Sequence, residues 1–373
     1  GTRFAIVDRA GILQAVQAVD EAENEAGDIE SLIAELLAEA APSASAVRVS
    51  RQVPIPPAPQ NQVQTAAPAG DASSFDPAAT SWTIPAHAGT IWSAKFSPNG
   101  KSIASTGEDG AARLWDVSTG QLRHTLTGHA GVVRHCAFTG DGSQLLTSGF
   151  DHTIRVWNAA TGGPVKTLTD DAPVYYLSPL GDNRTVISAS RDARLRFWNL
   201  VQGELEGYLA GHTATAWTAA AATVNGTSTI VSGSTDRTVR IWDFQSGETR
   251  HTLSGHLMGV NAVAISANAK IVASGAGDGE VIIWNAASGE EDFRIPGTAS
   301  MVYDLAFSAD HKTLAVGRSN HTVSFYDAVD GKLVRQLNRG GWCVHFSKDG
   351  KLLASGGDDG ALRIWKVRLD AKK

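Results

Sequence analysis

Only two cysteines and two methionines occur in the 373 residues, and charged side chains make up just 19% of them. Cys136 and Cys343 lie far apart in segments that read as buried strands, where a thiol behaves as a small hydrophobe. Neither a disulfide framework nor a zinc site is therefore indicated. No run of eighteen apolar residues exists, which excludes an obvious membrane-spanning helix. Positive charge is not in excess: the net charge is −6, so no basic face for nucleic acid is advertised. A Cys-x-x-Cys-His haem attachment, a His-Glu-x-x-His pair and a glycine-rich phosphate loop after a strand are all missing, as are paired carboxylates outside repeated positions. No catalytic set, metal or cofactor is expected on these grounds. "GEDG", "GAGDGE" and "GGDDG" look at first like calcium loops, but they lack the alternating ligand ladder and terminal Glu that such a loop needs. Gly1 rather than Met opens the sequence, so a preceding segment, and with it export, stays open; a cytoplasmic location is favoured over it.

What is present is unevenly spread. Residues 1–40 hold nine acids and two bases, so the rest of the chain is close to neutral. Apolar residues at helical spacing (Ile12, Leu13, Val16, Val19, then Ile29, Leu32, Ile33, Leu36, Leu37) predict two amphipathic helices over 8–22 and 28–40. Gly27 would end the first and Asp28 cap the second, making 1–40 an acidic helical segment suited to docking or oligomerisation. Residues 41–80, with "PIPPAPQNQVQTAAPAG", are rich in Pro, Ala, Ser and Gln and lack periodicity; they read as a linker.

From residue 81 the chain repeats itself with a period near forty. Trp115, Trp157, Trp198, Trp242, Trp284, Tyr326 and Trp365 each end a strand-like alternation, at spacings of 42, 41, 44, 42, 42 and 39. Six residues before each stands Asp109, Asp151, Asp192, Asp236, Asp278, Asn320 or Asp359. Four earlier still come Ser105, Thr147, Ser188, Ser232, Ser274, Val316 and Ser355. Histidines precede four of the units: His87, His129, His212 and His256. Asp170 and Asp171 stand in that place in the third unit and "NRGG" in the seventh; the sixth lacks both His and Ser.

With these residues in register, the segment 81–367 resembles the WD-repeat family of β-propellers. The resemblance implies an all-β, seven-bladed propeller of four-stranded blades, preceded by the helical segment and linker and followed by a tail at 368–373. Residues 80–89, "TSWTIPAHAG", line up with "RHTLTGHAG" at 123–131, so the N-terminal segment is expected to supply the last unit's outer strand and close the ring. Clean repeats and alanine-rich composition are similar to bacterial members, which are often parts of larger multidomain chains.

The resemblance also assigns Ser232, Asp236, His212 and Trp242 to one buried hydrogen-bonded tetrad. The same set recurs as His87, Ser105, Asp109 and Trp115; as His129, Thr147, Asp151 and Trp157; and as His256, Ser274, Asp278 and Trp284. A catalytic triad needs one constellation beside a cleft, whereas a set repeated in four units is architecture. Seven further residues share one repeat position: Trp92, Arg134, Tyr175, Trp217, Asn261, Tyr303 and Trp342. In the family this position rings the channel mouth on the top face. Aromatics with a polar handle are what binding hot spots use, so these residues are candidates for gripping a partner, against the plainer reading that they plug a narrow funnel. A weaker set precedes each tetrad acid: Glu108, Phe150, Arg191 and Asp358, with Thr235, Gly277 and Ser319. The expected function is a non-catalytic scaffold binding a protein or peptide at the top face. The alternative is a small-ligand-binding or regulatory propeller module of a larger multidomain bacterial enzyme.

Overall fold

The computed structural model describes residues 80–367 and, ahead of them, only the short strands Ile6–Val7 and Leu13–Gln14. Those two strands pair antiparallel, Ile6 opposite Gln14 and Val7 opposite Leu13. Leu13 and Gln14 are thus extended where the apolar spacing predicts a helix; Gly11 just before them costs a helix about 1 kcal/mol relative to alanine. The remainder of the first expected helix, all of the second, nearly all of the linker and the tail lie outside the described residues.

Between residues 80 and 367 the chain folds into seven sheets of four antiparallel strands, and no helix is present among the described residues. The first sheet shows why. Strand Ile91–Phe96 is buried or part-buried throughout and is followed by Ser102–Gly107, Ala112–Asp116 and Leu122–Leu126, each hydrogen-bonded to the one before. The first and second strands are joined by residues 97–101. There Gly100 takes φ +69° and the Ser97 hydroxyl accepts the Ser102 N–H at 3.0 Å, so the turn residues meet a left-handed backbone that a β-branched residue would resist.

Each later sheet repeats this plan. Their innermost strands are Val133–Phe138, Val174–Pro179, Ala216–Val224, Val260–Ile265, Val302–Phe307 and Cys343–Phe346. Every innermost strand packs beside the next, and the seventh packs beside the first. The apolar core is accordingly divided into seven clusters, one at each sheet-to-sheet junction. In the cluster that joins the seventh sheet to the first, Ile91, Ala94 and Phe96 meet Cys343, Leu362 and Ile364. A strand that buries both faces must be apolar on both, which explains why alternation is weak in the inner strands and clear only in the outermost ones.

The seventh sheet draws its outermost strand, Thr80–Pro85, from the other end of the described segment. It pairs antiparallel with Ala361–Lys366, setting Thr83 opposite Arg363 and Ile84 opposite Leu362. The Trp82 indole N–H donates to the Val117 carbonyl at 3.0 Å, tying this strand to the first sheet as well.

The innermost strands share one irregularity that positions the candidate site. In six sheets the ladder skips the second residue of the strand: Ile91 pairs with Gly107 and Ser93 with Thr106, leaving Trp92 unmatched. Arg134, Tyr175, Trp217, Asn261 and Tyr303 are skipped in the same way. A β-bulge of this kind turns a side chain out of the regular alternation. In the seventh sheet Trp342 lies just ahead of the strand, and its backbone N–H donates to the Gly356 carbonyl at 2.9 Å.

Candidate functional site: the channel mouth and the tetrads beneath it

Each tetrad begins with an indole. The Trp115 N–H donates to Ser105 Oγ at 2.9 Å, Ser105 meets His87 Nε2 at 2.8 Å, and His87 Nδ1 lies 2.9 Å from Asp109. The second sheet repeats this with 2.9, 2.8 and 3.0 Å through Trp157, Thr147, His129 and Asp151. Through Trp242, Ser232, His212 and Asp236 the distances are 2.8, 2.7 and 2.9 Å. Through Trp284, Ser274, His256 and Asp278 they are 2.8, 2.8 and 3.2 Å. The acids also hold their own turns: Asp236 accepts the Thr213 and Thr238 N–H groups at 3.0 and 2.9 Å. Ser105, Thr147, Ser232 and Ser274 are all completely buried, so no substrate can reach their hydroxyls. A closed network of this kind avoids the roughly 1–3 kcal/mol that each buried polar group would cost unpaired.

The third sheet solves the missing histidine differently. Asp170, buried, takes its place and accepts from Ser188 and Ser190 at 3.5 and 3.0 Å, while Trp198 still donates to Ser188 at 2.9 Å. Arg196, also buried, bridges Asp170 at 3.0 Å and Asp192 at 2.6 Å. Burial pushes the Asp170 carboxyl above its ordinary range although Arg196 pulls the other way. In the sixth sheet Arg318, buried, donates to the Gly279 carbonyl at 2.7 Å and approaches the Tyr326 hydroxyl at 3.5 Å, so a cation tied to carbonyls replaces the tetrad. In the seventh, Trp365 donates to Ser355 at 2.8 Å; Gly340 and the Arg363 guanidinium, which pairs with Asp359, occupy the histidine's place.

Burial is the main influence holding the imidazoles of His87, His129, His212 and His256 below their ordinary value, with the facing aspartates opposing it. Burial also pushes the Asp236 carboxyl up, but the Thr238 hydroxyl, the Thr213 amide and His212 outweigh it and bring it to about 2. Both effects have one sign. Below the unfolded imidazole value of about 6.5 the unfolded chain takes up protons that the folded histidines refuse, and below about 3.9 it takes up protons that the folded aspartates refuse. The melting temperature is therefore expected to fall in two stages on acidification, beginning under pH 6.5 and steepening under pH 4. A fluorimetric melting series from pH 8 to pH 3 checks this, and a temperature unchanged down to pH 5 would contradict it.

His256, Asp278 and Glu280 present ligand atoms within 4.8 Å of one another, the one such cluster among the described residues. Both ring nitrogens of His256 are already engaged with Asp278 and Ser274, and Glu280 pairs with Arg294 at 2.8 Å.

Above the tetrads, the bulged side chains gather into two groups. Tyr303, Trp342 and Trp92 form a run with centroids 4.9 and 5.3 Å apart, and the Arg134 guanidinium lies 4.6 Å from the Trp92 ring centre. Tyr175 and Trp217 form the other, 4.3 Å apart, with Phe150 edge-on to Tyr175 at 5.6 Å. Asn261 stands between the groups and donates to the Val302 carbonyl at 3.1 Å. The Trp217 indole donates to Thr235 at 2.8 Å. Those of Trp92 and Trp342 are buried and have no acceptor among the described residues. Of the turn residues, Phe150 joins the mouth directly. Glu108 accepts the Thr90 N–H at 3.2 Å, Asp358 pairs with His321 at 3.1 Å across the junction of the sixth and seventh sheets, and Arg191 is exposed.

Below the mouth lies a cluster that the repeat pattern does not single out. Lys95 from the first inner strand reaches Asp304 of the sixth at 3.7 Å and lies 5.8 Å from the Tyr176 ring of the third, a reach possible only at the centre of the ring. His135 stacks on Tyr176 at 3.7 Å. The signal was available: Lys95, His135, Tyr176, Asp304 and His345 are large polar or charged inner-strand residues at positions where other units carry Ala, Ser, Thr or Cys.

Seven antiparallel four-stranded sheets around a central channel define a seven-bladed β-propeller. The WD domain, G-beta repeat, matches seven times, at residues 79–116, 120–158, 162–199, 203–243, 247–285, 289–327 and 332–366, and the chain belongs to the WD40 family. A search of curated proteins finds no match.

Proposed function

We propose that the protein is a non-catalytic interaction scaffold whose channel mouth and top-face turns bind a protein or peptide. The observation that carries this reading is the row of bulges. Six inner strands each spend an unpaired residue to turn one side chain toward the mouth, and four of those six, together with Trp342, are aromatic. Two of the indoles, Trp92 and Trp342, hold buried N–H groups without an acceptor among the described residues, which a partner's carbonyl or carboxylate would satisfy only where its binding parts the packed rings. The rings supply broad, rigid contact area at low entropic cost, and the turns around them, with Glu108, Arg191 and Asp358 of mixed charge, would set a partner's orientation. The tetrads serve the fold: their hydroxyls are sealed from solvent, and four copies of one set do not make a reaction centre.

The triple variant Trp92→Ala, Trp217→Ala and Trp342→Ala tests the proposal. Capture of partners from native lysate is expected to fall at least about tenfold, as for loss of hot-spot residues, with the fold retained. An unchanged partner set in a folded variant would refute it.

A further inference from the structure

At the channel's centre, hydrogen-bond donors outnumber the acceptors available to them. His135 Nδ1 accepts the Leu177 N–H at 3.2 Å and His345 Nδ1 accepts the Phe96 N–H at 3.1 Å. In a neutral imidazole that fixes the remaining proton on Nε2, so each ring offers a donor there. His135, 3% exposed, has no partner at Nε2 among the described residues. Both rings are held neutral: burial, then Lys95, lowers His345 to about 3, and burial followed by Lys95, Arg134 and His345 pushes His135 well down. Two cations face the same space. Burial is the largest influence on the Lys95 ammonium and works against its charge, but Asp304 together with Tyr176, Cys136 and Cys343 outweighs it, so the group stays charged; Arg134 has no carboxylate within ion-pair distance among the described residues. Asp304 itself is nearly used up: its oxygens accept the Leu305 and Val344 N–H groups, both at 3.0 Å, besides facing Lys95.

We propose that the axis of the ring is a binding site for an anionic oxygen group, a carboxylate above all, held by Lys95, Arg134 and the Nε2 donors of His135 and His345. Charge-assisted donors are the strongest partners for such a group, and a cluster with two cations and one committed carboxylate is short of one negative charge. The equivalent inner-strand positions of the other sheets carry only small side chains, among them Ala137, Ala220, Ala262, Ala264 and Ala306, so no further charged group competes there. The carboxylate would come either from an acidic side chain lowered through the mouth or from a free small acid.

Calorimetry on the full chain distinguishes these sources. The probes are glutarate, the peptide acetyl-Gly-Glu-Gly-amide, and its Gln counterpart as a neutral control. Binding of glutarate alone identifies a free acid; binding of the Glu but not the Gln peptide identifies an inserted side chain; both sustain the site. Lys95→Met is expected to weaken binding at least about tenfold, and Lys95→Arg to keep it within about threefold. Should Lys95→Met not fold, Arg134→Gln, which breaks no ion pair, is expected to show the same loss. No binding of either acid at millimolar concentration, or equal binding by folded Lys95→Met, overturns the site. That failure would leave the mouth standing, because the triple-tryptophan experiment does not involve Lys95.

Discussion

Trp242→Ala is expected to lower stability by about 3–5 kcal/mol, the range for deleting a large buried aromatic. Trp242 is 1% exposed, packs against Ile230 and Leu209 in the junction of the third and fourth sheets, and donates its indole proton to Ser232. Alanine empties that volume and removes a donor from a hydroxyl that no water can reach. Trp242→Phe separates the two contributions. It keeps most of the apolar surface and leaves Ser232 bonded only to His212, so about 1–2 kcal/mol is expected from the lost bond. Urea midpoints for both variants check the pair of values. An alanine variant within about 1 kcal/mol of the parent would mean that the tetrad does not support the fold.

The second large effect concerns the strand Thr80–Pro85. Replacing these six residues by Gly and Ser of equal length, in the full chain, is expected to cost about 3–6 kcal/mol. Trp82 and Ile84 are each partly buried against the junction of the seventh and first sheets and contribute part of the about 1.5–3 kcal/mol that full burial of such a side chain is worth. Two further losses follow: the Trp82 bond to Val117, and the ladder along Ala361–Lys366, whose edge is then bare and prone to pairing with other chains. Melting temperature and light scattering on heating measure both consequences. A melting curve unchanged by the replacement would show that the ring does not depend on this strand.

The sheets were legible because one physical requirement writes itself into linear spacing. An indole on the third strand must meet a hydroxyl on the second, and antiparallel pairing through a short turn puts that hydroxyl ten residues upstream, as in Trp115 with Ser105 and Trp365 with Ser355. The acid stands four residues after the hydroxyl, and the histidine precedes the hydroxyl by 18 to 20 residues, still within one repeat. The mouth residues were legible as a shared position but not as bulges, since a skipped ladder partner leaves no mark on composition. Asp170 was visible only as a departure; that Arg196 would span it and Asp192 depends on how far a guanidinium reaches. The channel cluster was hidden for another reason. His345 meets the Phe96 amide across 249 residues of chain, and Lys95 meets Asp304 from five units away, so no local window contains the contact. Such groups emerge only when the inner strands are set around one axis.

The most direct measurement of the account places a photo-crosslinking amino acid at Trp217, in the mouth, and separately at Leu333, exposed on the outermost strand of the sixth sheet. Irradiation of the full chain in native lysate is predicted to give partner adducts from position 217 and none from position 333. Adducts from 333 with none from 217 would contradict the claim that the channel mouth is the working surface of this propeller.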